Sequence, residues 1–142
     1  MKPCLIIGST VCDVIINLPA IPLSAQDTNI YSQTLQIGGC AYNVVSILHH
    51  LSLPYTFLSY HGAEYTFQKA WTDTLNLSAY GYIYACGIEM EDKDASLIVD
   101  CLASCKGQVV FASGPRYAHI SKEIMNRIYA LKPILHMNEA EL

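Results

Sequence analysis

The stretch Gly38-Gly39-Cys40-Ala41-Tyr42-Asn43 has the residue types of a binding corner. Two glycines close an apolar, strand-like run containing Thr34, Leu35 and Ile37. They open a helix-like run through Val44, Val45, Ile47, Leu48 and Leu51. Glycine at a strand-to-helix junction permits positive φ and lets a ligand approach bare backbone. The N–H groups of the helix's first turn point at whatever sits in front of them. Asn43, one turn in, carries an amide that donates and accepts, which suits a hydroxyl. A glycine pair before a helix is more often a plain tight connection, so the corner gains meaning only from its surroundings. Two other places carry suitable groups. Asp13 ends the segment Gly8-Ser9-Thr10-Val11-Cys12-Asp13, and Asn138-Glu139-Ala140-Glu141 places an amide and an acid three residues apart. Asn138 and Glu141 also have the spacing of a helix-starting capping box.

The elements that position these groups follow from hydrophobic pattern. Residues 4–7 form a short continuous apolar run, as expected of a central strand covered on both faces. Residues 14–18 and 31–37 read as strands separated by Pro19 and Pro22. Residues 42–51 read as an amphipathic helix stopped by Pro54, and residues 55–60 as another strand. Helical spacing of Phe67, Ala70, Trp71, Thr74 and Leu75 predicts a helix over 66–75. From residue 81 onward the pattern predicts strand (81–85), helix (92–105), strand (108–112), helix (to Leu131, capped by Ser121) and strand (134–137). That order requires parallel strands with helical crossovers, so the class is α/β.

Composition narrows the functions. The chain has 142 residues, which favours one domain, with a net charge of −4 and only eight Lys and Arg, scattered. Nucleic acid and anionic membrane are therefore not expected as partners. Hydrophobic residues reach 52% and charged residues 14%, which implies surface covered by further chain or a partner. The six cysteines form no C-x-x-C pair and no zinc spacing, and they fit a reducing cytoplasm. The five histidines show no ligand pattern, and Tyr80, Tyr82 and Tyr84 alternate as packing residues do. Gly8 and Asp13 interrupt any signal-peptide core at the start.

Taken in order, the segment ending at Asp13, the Gly38–Asn43 corner and the N-x-x-E at Asn138 and Glu141 resemble the PfkB-type, ribokinase-like carbohydrate kinases. Phe111-Ala112-Ser113-Gly114-Pro115-Arg116 is similar to the strand end that precedes N-x-x-E in that family. The resemblance implies a three-layer α/β/α fold with a mostly parallel sheet and a partial β lid at about 12–37. It implies transfer of the ATP γ-phosphoryl group to a hydroxyl of a sugar or nucleoside. Asp13, Gly38, Gly39 and Asn43 match the substrate-binding positions. Asn138 and Glu141 match the pair that helps place Mg²⁺ near the ATP phosphates, Glu141 as its ligand.

Three departures qualify the resemblance. Cys40 and Ala41 stand where the family often has Lys-Gly. No Gly-Asp dipeptide occurs anywhere, whereas the family takes its catalytic base from a late G-A-G-D-type segment. Residues 1–142 thus correspond to the N-terminal portion of one kinase domain, incomplete at the C-terminus and without the later ATP-binding part. The direct passage from the strand at 55 to His61-Gly62-Ala63-Glu64-Tyr65 also suggests an internal deletion near 58–64. The expectation is a chain inactive alone, or a non-catalytic module that binds sugar weakly or forms a homodimer through its lid strands. A dinucleotide-binding reading ranks third, because the first strand end lacks the further glycines of G-x-G-x-x-G.

Overall fold

A computed structural model describes residues 1–59, 67–91 and 93–141. Among the described residues seven strands fall into two sheets. Strands β1 (Cys4–Ile7), β4 (Tyr55–Leu58), β5 (Tyr82–Cys86), β6 (Gln108–Ala112) and β7 (Ile134–Leu135) form a five-stranded sheet in the order β4-β1-β5-β6-β7. Every pairing in it is parallel. Strands β2 (Val11–Asn17) and β3 (Ser32–Gly38) form a separate antiparallel pair. Among the described residues the helices are α1 (Cys40–His50), α2 (Lys69–Asp73), α3 (Ala95–Ser104) and α4 (Lys122–Ala130), with short 3₁₀ turns between elements.

The continuous apolar run in β1 is explained by its two covered faces. Leu5 and Ile7 point into a cluster with Ile83, Val109, Phe111, Ile98, Ile124 and Ile128, which brings α3 and α4 against one face. Ile6 points the other way and packs with Ala41 and Val45 of α1. Successive side chains of a strand face opposite sides, so the sheet is the middle of three layers. Each large aliphatic side chain buried here contributes about 1.5–3 kcal/mol. The α/β class and the parallel order expected from the sequence are both present.

Several boundaries differ from the sequence pattern. The second helix is only Lys69–Asp73, and Thr72 rather than Ala70 or Thr74 is its buried residue. Phe67 is buried, with Trp71 and Leu75 packed beside it, but its N–H donates to Asp94 Oδ2 at 2.8 Å. Asp94 stands at the N-cap position of α3, which starts at Ala95, but its side chain makes no capping bond. Tyr82 is exposed, while Tyr80 is buried and donates to Thr56 Oγ1 at 2.9 Å. Of the expected deletion site near 58–64, residues 60–64 lie outside the described residues. Ser121 caps α4 as expected, accepting from Ile124 N at 3.2 Å.

The two-stranded sheet has a different character. Every residue of β2 is exposed, as is β3 up to Gly38. Its far end is closed by Asn17 Nδ2 donating to Ser32 Oγ at 2.7 Å. Among the described residues no helix is long and apolar enough to cross a membrane.

Candidate substrate site

The topology selects one end of the sheet. From β1 the chain passes through α1 to β4 on one side, then returns to β5 on the other side of β1. Ligands of open α/β sheets bind beyond the carboxyl ends of the strands at such a reversal. The glycine corner, Ser9 after β1, Glu89 after β5, Ser113 after β6 and Asn138 after β7 all gather there.

The corner itself is built on two glycines that have different jobs. Gly39 sits at φ 105°, where a side chain is strained, and a Cβ there would lie 2.8 Å from Ser9 O and 2.9 Å from Val11 Cγ2. It turns β3 directly into α1 and leaves the first turn of α1 without a side-chain cap. Gly38 is buried, and a Cβ on it would overlap the carboxylate of Asp13. Val11 pairs with Gly38 in the ladder, so the antiparallel register is what lays Asp13 over the corner. Asp13 is exposed as a residue, and its carboxylate, which can only accept when ionised, lies against Gly38.

Two adjoining cavities open beside the corner. One, of about 420 Å³, is lined by Asn43, Tyr84, Asn138 and Glu141 among others. The expected glycine-corner amide and the N-x-x-E pair thus share one cavity wall, contributed by α1 and the segment after β7. Asn138 Nδ2 donates to Glu141 Oε1 at 2.7 Å, and Asn138 N donates to Glu141 Oε2 at 3.2 Å. Glu141 closes the capping-box bond onto Asn138 while remaining part of the cavity lining. Asp13 does not line this cavity, and reaches the corner through Gly38.

The second cavity, of about 250 Å³, shares Cys40, Ala112, Gly114 and Pro115 with the first. It runs inward from Gly39 to Cys86, Glu89 and Ser113. Glu89 is 3% exposed and Ser113 1%. Glu89 Oε1 accepts from Ser9 N at 2.6 Å. Its Oε2 and the Ser113 Oγ have no hydrogen-bond partner among the described residues. Burial raises the Glu89 carboxyl above the usual carboxylate range, against the lowering effect of the Ser9 N–H. Burial also pushes up the Cys86 thiol and the Tyr84 phenol, and the nearby Glu89 carboxyl adds to both shifts. The Cys86 thiol and the Tyr84 phenol are neutral near pH 7. At the rim, Arg116 is exposed and holds Glu91 through Nε and Nη2. The guanidinium holds the Glu91 carboxyl below its usual range.

Sequence pattern alone did not single out Glu89 or Ser113. The available signal for Glu89 was an acid between Ile88 and Met90 directly after a strand end, the same kind of position that marks Asp13.

No family model matches the chain. In sequence it is similar to YegV of Escherichia coli (strain K12), named an uncharacterized sugar kinase. Identity is 22% over 186 residues, covering 96% of this chain and 58% of that protein. In structure it is similar to a Methanocaldococcus jannaschii nucleoside kinase of the ribokinase family (TM-score 0.62, 17% identity, 99% of this chain and 62% of that one). It is also similar to ribokinase from Thermotoga maritima (TM-score 0.59, 12% identity, 99% and 61%). The fold is ribokinase-like, and the chain resembles the PfkB-type carbohydrate kinases across nearly all its length. It spans less than two thirds of the length of these relatives.

Proposed function

We propose that this chain forms the substrate-binding half of an ATP-dependent kinase for a hydroxyl of a sugar or nucleoside. The observation that carries the reading is the convergence at one sheet end of Asp13 over Gly38, the uncapped start of α1, and Asn43 sharing a cavity with Asn138 and Glu141. In this reading Asp13 accepts from substrate hydroxyls, and Gly38 and Gly39 let the substrate reach the backbone. Asn43 fixes a further hydroxyl. Charge-assisted bonds from hydroxyls to a carboxylate are the stronger kind, which suits Asp13 as the main anchor.

Asn138 and Glu141 are the residues for the Mg²⁺·ATP end. Among the described residues no cluster of three His, Cys, Asp or Glu could cage a metal. Mg²⁺ beside nucleotide phosphates needs only one or two carboxylates and keeps several waters. Glu141, with both oxygens already accepting from Asn138, fits such a water-mediated role. When bound, the metal neutralises phosphate charge.

Phosphoryl transfer also needs a base for the hydroxyl proton and donors for the developing charge. The 142 residues supply no Gly-Asp segment for either role. We therefore expect no appreciable turnover from this chain alone. The match to the Escherichia coli protein extends over 186 residues, more than the 142 present here, which favours an internal deletion relative to that protein. The default location is the cytoplasm.

Calorimetric titration with a panel of sugars and nucleosides, with and without Mg·ATP, tests the reading. Saturable binding that disappears in Asp13→Ala supports it. A folded, monodisperse sample that binds none of them rejects it. Sugar-dependent ADP release by the pure chain would overturn the expected inactivity.

The second reading is a module that self-associates through its lid strands. It is favoured by the apolar exposure of β2 and β3, with Leu35 64% and Ile16 46% exposed. Sedimentation of wild type against Leu35→Lys separates the two readings.

A further inference from the structure

The two cavities meet at one nucleophilic side chain. Cys40 is the first residue of α1, is exposed, and lines both the outer cavity with Asn43 and the inner cavity with Glu89. The other residues that line both are Ala112, Gly114 and Pro115, and none of these carries a reactive group. The inner cavity, of about 250 Å³, has room for a side group of several heavy atoms. Within it the Glu89 Oε2 and the Ser113 Oγ are buried without a partner among the described residues. Oxygens buried in that way are costly, which favours an occupant that hydrogen-bonds to them.

We propose that Cys40 is a thiol-exchange site, which takes the thiol half of a low-molecular-weight disulfide and holds that half in the inner cavity. In the exchange the Cys40 thiolate attacks one sulfur of the disulfide. A bond forms between Cys40 Sγ and that sulfur, the original S–S bond breaks, and the departing thiolate takes up the proton that Cys40 gave up. The Cys40 thiol is oxidised and one half of the small disulfide is reduced.

Two features keep the product as a mixed disulfide. Cys86 lines the same cavity, and the Ala41 N–H donates to its sulfur, so that sulfur stands beside the start of α1. An attack by Cys86 would expel the bound half, but burial and the Glu89 carboxyl push its thiol up, and only a thiolate attacks. The retained half is also anchored, since a hydroxyl on its tail can both donate and accept at Ser113 Oγ and Glu89 Oε2. Cys12, the other exposed cysteine, lies on β2 and lines neither cavity. An adduct on Cys40 obstructs both cavities at once, so exchange shuts the substrate out and excess thiol readmits it. That consequence rests on the substrate-binding reading above, whereas the exchange itself does not.

The test treats the folded full chain with hydroxyethyl disulfide or diethyl disulfide and maps the adducts by peptide mass. Both reagents should modify Cys40. Resistance to graded glutathione then gives the ratio of hydroxyethyl to ethyl adduct stability at each cysteine. Normalised to the same ratio at Cys12, the ratio at Cys40 should be roughly three to ten, the worth of about one hydrogen bond. Ser113→Ala should bring it closer to one. Modified wild type should lose sugar binding, while Cys40→Ser put through the same treatment should bind as its own untreated sample does.

The exchange site is overturned if Cys40 stays unmodified, if Cys40 and Cys86 are recovered as an internal disulfide, or if the normalised ratio is one. Modified chain that binds sugar as tightly as untreated chain overturns the control of substrate entry. If untreated, folded chain binds no sugar, the substrate-binding reading falls, and the normalised ratio still decides the exchange site.

Discussion

Leu5, Ile6 and Ile7 in β1 and Val14, Ile15 and Ile16 in β2 are similar residues in similar backbone, yet they end in opposite surroundings. The first three are fully buried between two helical layers, while the second three stay exposed on a two-stranded ribbon. The difference shows that strand propensity and burial are separate properties. A residue run makes a strand, but only a neighbouring layer makes it core. It also divides the 52% apolar content into a closed part that holds the fold and an open part that presents Asp13.

The sharpest way to break this contrast is to truncate one residue in each sheet. Ile83→Ala, in the closed core, should lower the unfolding free energy by about 2–5 kcal/mol in urea titration. Leu35→Ser on β3 should change it by less than about 0.5 kcal/mol at low protein concentration. Equal losses would mean that the ribbon is covered in solution.

Asp13→Ala sharpens the functional side of the same comparison. Removing a hydrogen bond to a charged group costs about 1.5–3 kcal/mol, so sugar affinity should fall by roughly ten- to a hundredfold. The melting temperature should barely move, since Asp13 is exposed. Gly38→Ala should produce a comparable affinity loss by displacing the Asp13 carboxylate.

A smaller effect separates the two acids that follow β5, one buried and one at the rim. Glu89 titrates above its ordinary value when folded, because of burial. The folded state therefore holds a proton that the unfolded state has released, and stability falls as pH rises from the ordinary glutamate range through the folded pKa. Glu89→Gln should match wild type below that window and exceed it in melting temperature above. Glu91 has the opposite sign: its hydrogen bond to Arg116 lowers its pKa. Its contribution is present above the ordinary glutamate range and is lost as pH falls through the lowered value. Arg116→Gln should erase that dependence, with the smallest change in melting temperature of the set and none in high salt, because the pair is exposed.

How much the sequence revealed tracks the range of the interactions involved. β1 and β6 were legible because continuous apolar runs need no partner to be recognised, and α4 because Ser121 is a local signal. The glycine corner and its helix were legible for the same reason. The short α2 and the late start of α3 were not: local spacing extends both helices, and the bond from Phe67 N to Asp94 beside their starts joins segments distant in sequence. The inner cavity was least legible. Glu89 and Ser113 lie on different strand ends and meet only once β5 and β6 pair in parallel.

An interior strand of the sheet, β1, is also the first in the chain. Cys4 pairs with Tyr55 on one side and Tyr82 on the other, so β1 cannot enter the sheet until distant segments arrive. Long loops must close before any of those contacts rewards the closure. Refolding from denaturant should therefore run orders of magnitude slower than in a helical bundle of equal length. During that interval β1 keeps both edges unpaired, which makes dilution, more than temperature, the variable that governs the yield of refolded chain.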